Sequence, residues 1–190
     1  MICDHIDTIS RMGAELTKRI DTEIEPYRTE VELLCSLPGV ETRTAEVILA
    51  EIGTDMSRFP TAAHLASWAG MCPGNHESAG KRLSGRTRKG NQALRAALVQ
   101  AAHGASRTKH TYLAAQCQRL AARRGRKRAL VAVGHSILVI AYHLLKHPDR
   151  PYQDLGPAHL DERDRERTGR RLVKRLEALG YRVALDPTAA

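Results

Sequence analysis

Basic side chains concentrate in and just after a glycine-rich segment, residues 76–91, where they could bind phosphate groups. The candidates are Lys81, Arg82, Arg86, Arg88, Lys89, Asn91 and Arg95. Ammonium and guanidinium groups donate charge-assisted hydrogen bonds to phosphates, and three glycines let a ligand approach the backbone closely. The spacing is not G-x-x-x-x-G-K-[ST], which excludes a nucleotide P-loop. The composition indicates a site for a nucleic-acid backbone, and a solvated basic loop is an equally good interpretation.

A second basic run, residues 123–128, has five basic side chains in six positions. These are Arg123, Arg124, Arg126, Lys127 and Arg128. The run contains no aromatic or amide side chain, so we expect it to contact phosphates without reading bases.

A third candidate is the turn Leu37-Pro38-Gly39-Val40-Glu41 between two predicted helices. It resembles a helix-hairpin-helix element, in which backbone N–H groups and a helix N-terminus face a phosphate. Glu41 stands where such a turn has its second glycine, and its carboxylate would repel a phosphate. A plain structural hairpin is therefore the favoured interpretation when the turn is taken alone.

The elements that must position these residues are predicted to be helices, so the fold class is mainly α. Between residues 6 and 34, apolar side chains recur at intervals of three and four with charged flanks, as in a coiled coil. Pro26 interrupts this run, which predicts two helices or one kinked helix. The run could join a partner helix or a second copy of the chain, or pack on its own domain, and the sequence leaves both open. Further helices are predicted over residues 44–53, 61–68, 92–105, 111–123 and 129–145.

Residues 71–91 have no apolar periodicity, so we expect a functional loop or a short ribbon there. Residues 148–157 are predicted to be a linker, and residues 159–180 an exposed charged helix with one apolar stripe. The chain thus divides into a coiled-coil-like arm (1–32), a helical domain (33–147), and a linker with a charged C-terminal helix (148–190).

The composition sets the class of protein. The 190 residues include 30 Lys and Arg against 21 Asp and Glu, which gives a formal net charge of +9 and a polyanionic partner as the expectation. Apolar residues make up 42% and aromatic residues only 4%, so the core must consist mainly of Leu, Ala, Val and Ile. Residues 129–145 lie near the lower length limit of about 17 residues for a membrane span. They include His135 and His143, so we interpret them as a buried core helix and expect no membrane contact.

The four cysteines contain no C-x-x-C pair, which argues against a metal or redox centre. The first residues do not resemble a signal peptide. We therefore expect free thiols, a cytoplasmic location, and no metal site in this chain.

An ordered set of sequence fragments resembles the C-terminal domain of the IS110/IS116/IS902-type transposases. The resemblance covers roughly residues 33–145. The fragments are Leu37-Pro38-Gly39-Val40, Thr44-Ala45, Glu51-Ile52-Gly53, Arg58-Phe59, Trp68-Ala69-Gly70-Met71-Cys72-Pro73, Glu77-Ser78-Ala79-Gly80, Lys89-Gly90-Asn91 and Leu94-Arg95.

The resemblance implies a DNA recombinase that uses a structured guide RNA, with Ser78 of the Glu-Ser motif as the catalytic nucleophile. By sequence alone Ser84 is the competing serine. The family also has an N-terminal RuvC-like domain whose acidic residues hold Mg²⁺. Only some thirty residues precede residue 33, and they are predicted to be helical. We therefore expect a truncated or split copy, with DNA and guide RNA as partners and a homo-oligomer formed through the N-terminal helix. A non-catalytic nucleic-acid-binding module and an inactive insertion-sequence remnant are the alternatives.

Overall fold

The computed structural model describes residues 2–163 and 165–184, with the side chains of His76, Arg82 and Glu166 excluded. Within these residues the fold is mainly helical, which confirms the predicted class. The helices are α1 (Ile2–Ile24), α2 (Arg28–Cys35), α3 (Thr42–Ile52), α4 (Ala62–Trp68), α5 (Gln92–Ala105), α6 (Tyr112–Arg124), α7 (Arg126–Lys146), α8 (His159–Arg163) and α9 (Arg165–Ala178). The two strands, β1 (His76–Ser78) and β2 (Lys81–Ser84), form one antiparallel ribbon between α4 and α5.

The helix ends follow local chemistry. Pro26 lies in a turn of 3₁₀ helix, Glu25–Tyr27, which separates α1 from α2 as the sequence predicts. Asn91 and Thr111 cap α5 and α6, because each side chain accepts a hydrogen bond from a backbone N–H in the first turn of the helix. Gly125, at φ +80, separates α6 from α7.

Helix α7 lies at the centre of the core and packs against α2, α4, α5 and α6. The core is built mainly from Leu, Ala, Val and Ile, as the composition requires. Tyr142 of α7 is the largest fully buried side chain, and its hydroxyl donates a hydrogen bond to the carbonyl oxygen of Phe59 at 3.0 Å. By length and hydropathy α7 could cross a membrane, but 56% of its most apolar stretch is buried against the other helices.

The segment predicted as a linker is bound to the start of α6 through Asp154. The carboxylate of Asp154 accepts hydrogen bonds from the backbone N–H of Tyr112 at 2.9 Å and of Gly156 at 2.7 Å. Its second oxygen accepts a hydrogen bond from the hydroxyl of Tyr152 at 2.8 Å. Burial and this hydrogen bond raise the pKa of Tyr152 above its ordinary value. Residues 152–156 are therefore held against the start of α6.

Candidate nucleic-acid interface

The glycine-rich segment forms a hairpin that we call the ribbon, residues 73–87. Its stem begins where Pro73 pairs with Thr87 and where the N–H of Gly74 donates to the carbonyl oxygen of Arg86 at 3.0 Å. Further out, Ser78 pairs with Lys81 across the ribbon. Of the two alternatives that the sequence leaves open for residues 71–91, the structure has the short ribbon.

Two residues make the turn at the tip of the ribbon. Ala79 and Gly80 have φ angles of +47 and +73, and positive φ at both positions is the requirement of a type I′ turn. Ser78 and Lys81 flank this turn, so their side chains lie on the same face of the ribbon. Both side chains are exposed. The Ser78 hydroxyl makes no hydrogen bond to any described residue, whereas the Ser84 hydroxyl accepts one from the N–H of Arg86 at 3.2 Å.

At the base of the ribbon, the backbone at Ala69 and Gly70 lies in close contact with the backbone at Gly90. A Cβ added at Gly90 would lie 2.3 Å from the carbonyl oxygen of Ala69, and one added at Gly70 would lie 2.9 Å from the Cα of Gly90. A side chain at either position would push the two backbones apart. Glycine is therefore required where the ribbon leaves and rejoins the helices.

Asn91 and Arg95 hold the ribbon to the helical domain. The side-chain oxygen of Asn91 accepts a hydrogen bond from the backbone N–H of Leu94 at 2.9 Å. Its amide nitrogen donates a hydrogen bond to the carboxylate of Glu51 on α3. Arg95 donates to the carbonyl oxygen of Arg88 at 2.9 Å and to the hydroxyl of Thr87 at 3.1 Å. These contacts give both side chains a positioning role that their residue types alone do not reveal.

The other basic candidates are distributed over two elements. On the ribbon and the segment that follows it, residues 88–90, the side chains of Lys81, Arg86, Arg88 and Lys89 are exposed; the side chain of Arg82 lies outside the described part. At the junction of α6 and α7, Arg123, Arg124, Arg126, Lys127 and Arg128 are exposed. No ion pair within the described part of the chain involves any of these nine exposed side chains. Their charge is therefore available to a ligand.

The structure brings the two basic segments together. A groove of about 890 Å³ lies between the base of the ribbon, including residues 83–87, and the α6–α7 junction. Four exposed cations from both segments line it, namely Arg86, Arg124, Lys127 and Arg128. We call this the basic groove. Its apolar lining residues, including Leu83 and Leu120, were not among the candidates predicted from the sequence. Leu83 could have been recognised there, because it is a single leucine among basic residues.

The helix-hairpin-helix-like turn lies against α5. Leu37 and Val40 are buried, and Gly39, at φ +81, approaches the backbone of α5 closely. Glu41 is the N-cap residue of α3 but makes no capping hydrogen bond through its side chain. The turn thus packs the α2–α3 hairpin against α5.

Among the described residues there is no group of three or more His, Cys, Asp or Glu side chains that could hold a metal ion. All four cysteines are free. Burial raises the pKa of the Cys35 and Cys117 thiols, which disfavours their thiolate forms.

These features define a helical domain with an exposed cationic groove and a projecting ribbon, an architecture suited to a polyanionic ligand. Residues 31–118 match the family model described as the transposase IS116/IS110/IS902 family. Through these residues the chain is similar to the IS110-type transposases, in agreement with the resemblance that the sequence fragments indicate.

Several curated proteins are similar to this chain. An uncharacterized 43.6 kDa protein of insertion element IS110 from Streptomyces coelicolor is 46% identical over 37% of this chain and 17% of its own length. The pilin gene-inverting protein of Moraxella bovis is 28% identical over 77% of this chain and 45% of its own length. The mini-circle putative transposase for IS117 from Streptomyces coelicolor is 32% identical over 53% of this chain and 26% of its own length. The chain therefore spans less than half the length of each of these relatives.

Proposed function

We propose that this chain is the part of an IS110-family recombinase that binds DNA and provides the serine nucleophile for strand transfer. The observation that carries the proposal is the exposed Ser78 at the tip of the ribbon, whose base adjoins the basic groove. The relatives include a protein named for pilin gene inversion, and inverting a gene requires DNA strands to be cut and rejoined.

In this mechanism the Ser78 oxygen attacks a DNA phosphorus atom. A new O–P bond forms, the P–O bond to one strand breaks, and the departing DNA oxygen takes up a proton. The chain is then joined to DNA by a phosphoserine ester, and a hydroxyl of another strand can attack that ester to complete the transfer. The hydroxyl proton of Ser78 must pass to a base, because a neutral serine is a weak nucleophile.

The neighbours of Ser78 suit phosphate binding better than proton removal. Lys81 lies directly across the ribbon on the same face, where its ammonium group can stabilise charge on the phosphoryl oxygens. Glu77 is adjacent in the strand, so its side chain points to the opposite face. We therefore assign Lys81 to charge stabilisation and assign no base within the ribbon.

Mg²⁺ and guide RNA enter this proposal only through the family. The described residues of this chain do not offer a ligand cluster that fits a divalent ion, so no step here is assigned to a metal. We propose that Mg²⁺ binds to an acidic RuvC-like domain that lies outside these 190 residues. The basic groove and residues 123–128 are the proposed contacts for DNA and guide RNA phosphates.

The test is a denaturing gel of labelled DNA incubated with the full chain. The chain alone should bind DNA but form little covalent adduct, and adding the acidic domain, Mg²⁺ and guide RNA should produce the adduct. Ser78→Ala should abolish the adduct and leave binding unchanged, whereas the matched control Ser84→Ala should retain it. An adduct formed by the Ser78→Ala protein would refute the nucleophile, and strong adduct formation by the unsupplemented chain would refute the need for a second domain.

A non-catalytic binding module is the second candidate, because the basic groove can act without any acidic domain. Salt-dependent nucleic-acid binding with no adduct under any of these conditions would favour it. We also propose that α1 mediates a homo-oligomer, since none of its residues is buried and its apolar side chains are exposed.

A further inference from the structure

The basic groove has an apolar floor that binding to phosphates does not require. The four cations, which we call its rim, are exposed, and the apolar part of the lining, which we call its floor, includes Met71, Leu83, Leu120, Val131 and Ala132. At about 890 Å³ it falls within the ~300–1,000 Å³ range of clefts that enclose small organic ligands. A cationic rim around an apolar floor suits a ligand that has both charged and apolar parts.

Leu83 is the most informative residue of this floor. The register of the ribbon shifts between His76 and Glu77, whose partners are Ser84 and Arg82, so Leu83 has no partner across the ribbon. Such a bulge can redirect a side chain, and Leu83 lines the groove while remaining 61% exposed. An apolar side chain held in this way presents its surface to whatever enters the groove.

We propose that the basic groove binds an unpaired segment of nucleic acid, with phosphates on the rim and a sugar and base on the apolar floor. This proposal rests on the proposed function and specifies the form of nucleic acid bound. In a duplex the bases are stacked and paired inside, so mainly phosphates would reach the groove and the apolar floor would stay uncovered. A single strand exposes base faces and can contact both surfaces.

The side chains that line the groove also predict that it binds the different bases about equally well. Within the described part of the chain, no aromatic side chain lines the groove, so bases are not held by stacking on a ring. Aliphatic contacts fit any base face. The groove should therefore distinguish unpaired from paired nucleic acid and show little sequence preference.

The experiment measures fluorescence anisotropy of the full chain with three labelled probes at fixed salt: a single-stranded DNA, the RNA of the same sequence, and the corresponding DNA duplex. Leu83→Gln should weaken single-strand binding about fivefold, the effect of losing roughly 1 kcal/mol of apolar burial, and leave duplex binding unchanged. Leu155→Gln is the matched control, because Leu155 is similarly exposed at 57% but lies outside this groove. It should change neither affinity.

A second pair of substitutions separates this proposal from the proposed function. Arg86→Gln and Lys127→Gln should weaken binding of every probe and make the dependence on salt less steep, because fewer counterions are displaced. If they change nothing, the groove does not bind nucleic acid and the binding part of the proposed function fails. If they weaken binding while Leu83→Gln affects duplex and single strand equally, or the chain prefers the duplex, only the single-strand proposal is overturned. A selective effect of Leu83→Gln on either the DNA or the RNA strand supports it and identifies the sugar that the groove accepts.

Discussion

Ala79 is the residue of the ribbon whose backbone conformation least suits its side chain. Its φ of +47 lies in the left-handed region, which costs a non-glycine residue about 1–2 kcal/mol. Asparagine tolerates this region better, and Asn-Gly is the preferred pair for a type I′ turn. A residue that tolerates this backbone conformation better than alanine would therefore stabilise the turn next to Ser78.

The substitution Ala79→Asn should stabilise the ribbon by about 1 kcal/mol. Hydrogen exchange of the amides in β1 and β2 should slow by about fivefold, provided that they exchange by local opening of the ribbon. Ala63→Asn, at an exposed position in α4, is the control and should leave these amides unchanged. Unchanged or faster exchange in Ala79→Asn would show that the turn is not strained.

At the scale of elements, the turn between α2 and α3, residues 37–41, packs closely on α5. A Cβ added at Gly39 would lie 2.3 Å from both the carbonyl oxygen of Ala101 and the amide nitrogen of Ala105. Gly125 provides a matched comparison, because its φ of +80 is nearly the same as the +81 of Gly39 but no atom lies within 4 Å of an added Cβ. The two glycines separate backbone strain from steric contact.

Gly125→Ala should lower the free energy of unfolding by about 1–3 kcal/mol through backbone strain alone, because its φ of 80 and ψ of 157 lie in a region adopted almost only by glycine. Gly39→Ala should lower it by more than about 4 kcal/mol or prevent folding, because the turn must move away from α5. Urea denaturation followed by circular dichroism measures both. Equal losses in the two variants would mean that the turn does not approach α5 as described.

At the scale of the whole molecule, α1 is the largest element whose apolar face is left open to solvent. Ile2, Ile6, Ile9, Met12 and Leu16 are all 56–80% exposed. The apolar stripe continues toward a groove of about 760 Å³ that α1 shares with α3, and Ile24 is the residue that joins the core. An exposed apolar stripe of this length is typical of a helix that pairs with another chain.

Sedimentation velocity should therefore show the wild-type chain as a dimer or larger assembly at micromolar concentration. Ile9→Glu should shift it to a monomer, because a carboxylate would be buried in the helix pair, and its circular dichroism spectrum should otherwise match that of a folded chain. Leu155→Glu, at a comparably exposed position away from α1, should leave the assembly intact. A wild-type monomer across this range would refute the role proposed for α1.

The sequence by itself determined most of the helices and the resemblance to the IS110-type transposases. Apolar periodicity and local signals such as Pro26 and Gly53 act within a few residues, so they can be identified without a fold. For the glycine-rich segment the sequence permits either a loop or a ribbon, because strand pairing depends on register, which its mixed composition does not specify.

Only the tertiary structure determined how the candidate residues are shared between binding and positioning. Asn91 and Arg95 resemble the other donors by type, but their partners include Glu51, forty residues away in the chain, so contacts distant in sequence assign them to holding the ribbon. Likewise, Arg86 and Lys127 belong to separate segments of the sequence and line one groove only because the fold places the first turns of α7 beside the ribbon. Residue types limit the chemistry that is available, and long-range packing determines which side chains remain free to perform it.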